Sequence, residues 1–492
     1  MSVFQEDMGK IHALMQPMRA EYGCLMPAPN KDAASLSLQL ASLAYTLEMD
    51  PWREAGWQDV SYLVDHKLLT GEAANGSGGL TGVISGYRQF LSRFRAKSTN
   101  IINQVLGTVR NREESDTCKA VVMIKKTDDQ RYLVAIGFMG TGKRVYDWLA
   151  NIRIHNEDGM HQGSLQLTKH FEENLPDMVF PETARELGMD KLTLKDILQE
   201  CKRPKSRFKI WMAGHSQGGA VMQLFAYRAI SRGVLRKNLI GYGFASPSVL
   251  FGAGNMNMQS VPLFHLINED DLVPRLGAQL HVGQCFIFRP TDSMRSACYG
   301  TVWQSEGYAA AFRMLRRVRD TEDVMILLMA LCGALQQLGD GAMVLTASEL
   351  LGRFLPERVV NLLGGRMDQG LHALQRYVER NYLRSTGCTM LPEGHIRVFR
   401  EMILAEMDAY GPRAFVKCLL QVMSIPHRLR YQAVHGDTIP AYVYLTEEGY
   451  SMLRKGICPR YPSAPYRHPA KRKRHRGRFS YALRREMRPA KR

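Results

Sequence analysis

The apolar positions change period along the chain. Ser35-Leu-Ser-Leu-Gln-Leu-Ala-Ser-Leu-Ala-Tyr-Thr-Leu47 has a broad apolar face at helical spacing, and Pro51 marks the expected end of that helix. Gly76-Ser-Gly-Gly79 reads as a flexible joint, followed by a second helical stretch to about Arg110. The period then shortens to two. Ala120-Val-Val-Met-Ile-Lys125 and Tyr132-Leu-Val-Ala-Ile-Gly137, joined through the polar turn Thr127-Asp-Asp-Gln130, predict a hairpin. Short apolar runs predict further strands at 208–213, 239–245, 262–267 and 284–289, with helices at 163–174, 193–202 and 218–231 between them. Strands alternating with helices imply a mainly parallel sheet covered on both faces. From about 303 to 385 the pattern is helical throughout and interrupts the alternation.

These shifts predict five parts. A helical region spans 1–115 and an α/β core 116–300, and a helical insertion or cap fills 301–388. The segment 389–460 returns to the core, and 461–492 is a basic tail. Within that tail, residues 467–492 hold twelve Lys or Arg against one acid, Glu486, so they supply +11 of the net charge of +18. With almost nothing apolar to bury, this segment is expected to be disordered when free. Its charge points to anionic lipid headgroups, with nucleic acid as the second class of partner.

Nine cysteines, without a CxxC pair or a His-rich cluster, indicate reduced thiols and argue against a zinc site. The start Met1-Ser-Val-Phe-Gln-Glu-Asp-Met8 lacks the pattern of a signal peptide, and the apolar run Val324–Leu335 is too short to span a membrane. A cytoplasmic or membrane-peripheral setting is the expectation.

Chemistry enters at Gly214-His215-Ser216-Gln217-Gly218. An apolar strand precedes this pentapeptide and a helical pattern follows it. A serine on so tight a turn has its hydroxyl lifted above the sheet, and Gly214 and Gly218 remove Cβ atoms that would collide there. The helix N-terminus favours the negative charge that develops in acyl transfer. A nucleophilic serine needs a base, and the base needs an orienting acid. The strand ending in Asn268-Glu-Asp-Asp271 offers Asp271 as that acid, with Asp270 as the alternative. Of the downstream histidines, His395 follows a Pro-Glu-Gly loop and precedes a helix, which makes it the expected base. His281 is the lesser candidate.

Taken in order, these segments resemble the class 3, or fungal-lipase-like, α/β hydrolases. The resemblance runs through Gly137-Phe-Met-Gly-Thr141, Asp147-Trp-Leu-Ala-Asn151, Met160-His-Gln-Gly163, the serine turn, Tyr242-Gly-Phe-Ala-Ser-Pro247, the Asn268–Pro274 segment and His395-Ile-Arg-Val-Phe399. It implies an α/β-hydrolase fold with a mainly parallel sheet plus an inserted helical cap or second domain. It also implies a lipid ester as substrate, no metal or organic cofactor, and an oxyanion hole formed by Thr141 and the backbone N–H of Gln217. The segment Lys143–Asn151 would be the lid, with Trp148 and Leu149 as its apolar contacts. Two features depart from the family. Met139 stands where an arginine is usual, and His395 lies 124 positions after Asp271. A non-catalytic scaffold on the same fold and an acyltransferase are the competing expectations.

Overall fold

A computed structural model describes residues 20–21, 24–25, 31–59, 120–140, 156–157, 159–252, 260–288, 290–354, 367–428, 430–432 and 438–440. The expected joint at 76–79, the helix through Arg110, Thr141, Trp148, Leu149 and the basic tail lie outside them.

Seven strands form one sheet: β1 (Gln58–Asp59), β2 (Ala120–Lys126), β3 (Tyr132–Phe138), β4 (Phe208–His215), β5 (Leu239–Phe244), β6 (Leu263–Asn268) and β7 (Gln284–Phe288). They lie side by side in chain order. β3 to β7 are parallel, while β2 runs antiparallel to both β3 and β1. The strands expected from the pattern are all present, and the hairpin pairs in the register Val122↔Ile136. The sheet is mainly parallel, as the alternation of strands and helices implies.

Two apolar cores follow from the alternation. Val122, Ile124, Val134, Ile136, Ile210 and Met212 face one side, where they pack with Leu165 and Phe171 of α2 (Gln162–Glu173) and Leu224 and Phe225 of α3 (Gln217–Ser231). Their neighbours Val121, Met123, Leu133, Ala135, Trp211 and Ala213 face the other side. There they meet Leu36, Leu40 and Leu43 of α1 (Lys31–Thr46). Burying both faces is why these strands read as continuous apolar runs rather than half-polar ones. The helix expected to end at Pro51 ends at Thr46. Pro51 instead opens the short helix Asp50–Glu54, where its missing N–H costs no hydrogen bond.

Between β7 and Ser424 the described elements are helices: α4 (Asp292–Tyr299), α5 (Glu306–Leu315), α6 (Thr321–Leu335), α7 (Asp340–Phe354), α8 (Met367–Thr386), α9 (Glu393–Tyr410) and α10 (Pro412–Ser424); after them Arg430–Gln432 and Thr438–Pro440 pair antiparallel. The apolar run 324–335 lies within α6, and every residue of that run except Gly333 is buried. α6 packs against α8 and α9, and α10 packs against α5, α7 and α9. The boundary expected at 388 falls between α8 and α9, yet both belong to this bundle. The bundle also shares its apolar core with the α1 face of the sheet. Among the described residues no helix is long and apolar enough to cross a membrane.

Candidate active site

β4 ends at His215 and α3 begins at Gln217, which leaves Ser216 alone in the turn between them. Its backbone has φ +55° and ψ −130°, a conformation that costs an L-residue of order 1–3 kcal/mol. The surroundings impose it. The Ser216 N–H donates to the Phe244 carbonyl at the end of β5 (2.9 Å), and Gly219 N–H donates back to the Ser216 carbonyl (3.0 Å). A Cβ on Gly214 would lie 2.5 Å from the Gly218 carbonyl oxygen, and one on Gly218 would run into the carbonyl of Phe138. Both glycines are therefore required by close backbone approach.

Asp271 follows β6, the second strand from β4, and is 1% exposed. One carboxylate oxygen, Oδ1, accepts the Val273 N–H at 2.9 Å. The other, Oδ2, lies 2.9 Å from Nδ1 of His427, and Nε2 of His427 lies 2.9 Å from Ser216 Oγ. A carboxylate can only accept, so Nδ1 carries the proton and Nε2 presents its lone pair to the serine hydroxyl.

The histidine at this position is thus His427 and not His395. His395 is exposed in the first turn of α9, in a helix whose packing is directed into the bundle. The Pro-Glu-Gly sequence before it starts a helix instead of forming a free loop. His427 follows α10, where Pro426 cannot continue the helix and the chain turns, with Arg428 N–H donating to Ile425 O at 3.2 Å. That Ile-Pro-His stop was the available signal. His281 lies elsewhere, half-buried, with its Nε2–H donating to the Ser246 carbonyl (2.8 Å) and its pKa pushed down to about 4 by desolvation.

Asp270, the alternative acid, is committed to another partner. Its carboxylate accepts two N–H groups of Arg295 on α4, at 2.9 and 3.0 Å, and the Tyr299 hydroxyl at 3.2 Å. The Arg295 pKa is raised above its ordinary value, chiefly by these hydrogen bonds. Asn268 completes the support: its Nδ2 donates to Tyr299 (2.9 Å) and to the carbonyl of Pro426 (3.4 Å). One amide thereby ties the acid-bearing turn to the residue preceding His427.

Two further elements converge on Ser216. Gln217 opens α3, so its N–H is one of the first-turn donors that no intrahelical carbonyl can use. Gly140, which continues from β3, sits so close that a Cβ there would lie 3.1 Å from Ser216 Cβ. Of the expected oxyanion pair, Gln217 is at this site; Thr141 follows Gly140 outside the described residues. Met160-His-Gln-Gly163 leads into α2, where His161 caps the helix by accepting the Ser164 N–H (3.3 Å). Among the described residues no cluster of His, Cys, Asp or Glu could hold a metal ion.

Residues 135–281 match the family model described as lipase (class 3). Solved structures with local likeness include Rhizomucor miehei lipase in its propeptide complex, with 21% identity, TM-score 0.26, and coverage of 36% of this chain and 54% of that one. A Rhizopus microsporus lipase has 19% identity and TM-score 0.25, covering 36% and 60%. A Yarrowia lipolytica lipase has 15% identity and TM-score 0.24, covering 35% and 61%. The chain therefore spans less than two thirds of the length of these lipases. No curated protein matches it.

Proposed function

Because residues 135–281 carry the class 3 lipase pattern, we propose that this chain is a serine carboxylester hydrolase acting on lipid esters, an acylglycerol or a phospholipid losing one acyl chain. The observation that carries this reading is the unbroken Ser216–His427–Asp271 relay, with 2.9 Å at each contact, on a turn that strains the serine backbone.

Ser216 Oγ attacks the ester carbonyl as its proton passes to His427 Nε2. Asp271 holds the Nδ1–H and stabilises the imidazolium. The tetrahedral oxyanion is met by the Gln217 N–H, with Thr141 as the second donor, each contributing around 3 kcal/mol to the transition state. His427 then returns its proton to the leaving alcohol. Water, deprotonated by the same imidazole, clears the acyl-enzyme and regenerates Ser216.

The direct test is covalent labelling by a fluorophosphonate probe, comparing the native protein with Ser216→Ala. Labelling confined to the native protein is the expected outcome. An unlabelled, folded native protein, with lipid or detergent present, would reject the reading in favour of a non-catalytic scaffold.

A further inference from the structure

His215, the residue before the nucleophile, has both ring nitrogens engaged. Its Nε2 lies 2.9 Å from the main-chain carbonyl of His427, and its Nδ1 lies 2.9 Å from the Tyr45 hydroxyl. A carbonyl can only accept, so the proton sits on Nε2. In the neutral ring Nδ1 is then an acceptor, and Tyr45 donates to it. Burial, followed by the neighbouring His427, holds the His215 pKa well below 6.5, which keeps the ring neutral. The two imidazoles lie 4.7 Å apart, tilted by 31°.

Position along β4 explains how this pair meets. Trp211 and Ala213 face the α1 core, and His215, two residues further, keeps that parity. Tyr45 comes from the last turn of α1, 170 residues earlier and outside the segment that matches the family. Its hydroxyl also fills the space over Gly140, where an added Cβ would run into it and into the His215 carbonyl. Tyr45 thus touches the serine turn and the end of β3 directly, and the base through one imidazole.

We propose that Tyr45 and His215 are positioning residues for the base. The Tyr45 hydroxyl selects the His215 tautomer, and the His215 N–H holds the backbone of His427 where Nε2 meets Ser216 Oγ. The opposite tautomer would turn a lone pair toward the His427 carbonyl and push the base away. The inference rests on the hydrolase reading and adds a requirement on α1, which contains neither the nucleophile nor the acid.

The test is the second-order rate at which a fluorophosphonate probe labels Ser216 in the full chain, with melting temperature followed in parallel. Tyr45→Phe and His215→Leu are each expected to slow labelling roughly 10- to 100-fold, the scale of a sub-ångström to one-ångström misplacement. Combining them should cost little more than either alone, because both break one relay. His215→Gln offers an amide N–H that needs no tautomer selection. It should restore most of the rate, and Tyr45→Phe should cost little in its background. Native-rate labelling of Tyr45→Phe, or losses that multiply in the double variant, would overturn the proposal while leaving the hydrolase reading intact. If Tyr45→Phe does not fold, equal losses in His215→Gln and His215→Leu would overturn it. Absence of labelling in the native chain would instead sink the hydrolase reading, and this proposal with it.

Discussion

His427 and His395 carry the same imidazole, and only the backbone around each separates them. His395 is fixed in the first turn of an exposed helix, whereas His427 lies in a turn that Asn268 ties to the acid-bearing loop. His427→Ala is expected to lower labelling and ester hydrolysis by about 10⁴-fold or more. His395→Ala should leave both rates within about twofold, as for an exposed surface position. Rate measurements on the two folded variants decide between them, and the reverse result would remove His427 from the mechanism. Ser216 and Asp271 were legible in the sequence because each sits at the end of an apolar strand, where the parallel sheet gathers its functional groups. The proposed base ends no strand, and the Ile-Pro-His stop before it marks a turn without saying where that turn docks. Its place depends on how a bundle of helices docks, and a Pro-Gly loop before a histidine resembles a reaching loop while being a helix start.

Elements were legible in proportion to their periodicity. The hairpin, β4 to β7, α2 and α3 follow directly from apolar spacing, with ends displaced by a residue or two. The destination of α1 was not legible, because nothing local in 35–47 says which surface it covers. It covers the face of β3, β4 and β5, where the Trp211 indole N–H donates to Ser37 Oγ at 2.7 Å. Gly137 makes this approach feasible: a Cβ there would lie 2.7 Å from the Leu40 carbonyl oxygen. Gly137→Ala is therefore expected to lift α1 and destabilise the protein by about 1–3 kcal/mol, read as a lower denaturant midpoint. An unchanged midpoint would show that α1 yields without cost. By the proposed relay, the same variant should also slow labelling of Ser216.

At the scale of the molecule, desolvation holds the imidazoles of His215, His265 and the half-buried His281 below the ordinary histidine range. His265 is pushed down to about 3 by burial and then by neighbouring His281; His281 is pushed down to about 4, and His215 is lowered as well. Above pH 6.5 both folded and unfolded chains leave these groups neutral, so their contribution is intact. As pH falls below 6.5 the unfolded chain binds protons that the folded chain refuses, and stability is lost down to the folded values near 4 and 3. Each group adds a slope of about 1.4 kcal/mol per pH unit within its window. Urea midpoints should therefore fall steadily from pH 6.5 to 4.5, and His281→Gln should make that fall shallower. Identical slopes would mean that His281 is protonated in the folded state. None of these burials could be read from isolated histidines in the sequence, since each depends on strands and loops brought together from afar.

The tie between Asn268 and Pro426 also bears on how the protein is made. Asp271 precedes its imidazole partner by 156 residues and Ser216 precedes it by 211, with the bundle synthesised in between. A nascent chain, or a fragment cut anywhere within α5 to α10, would contain the serine and the acid but no base. On the proposed mechanism such a molecule cannot hydrolyse lipid while the ribosome or a protease leaves it incomplete. Lipolytic activity would switch on only when the bundle closes and delivers residue 427, making completion of the fold a licence for the chemistry.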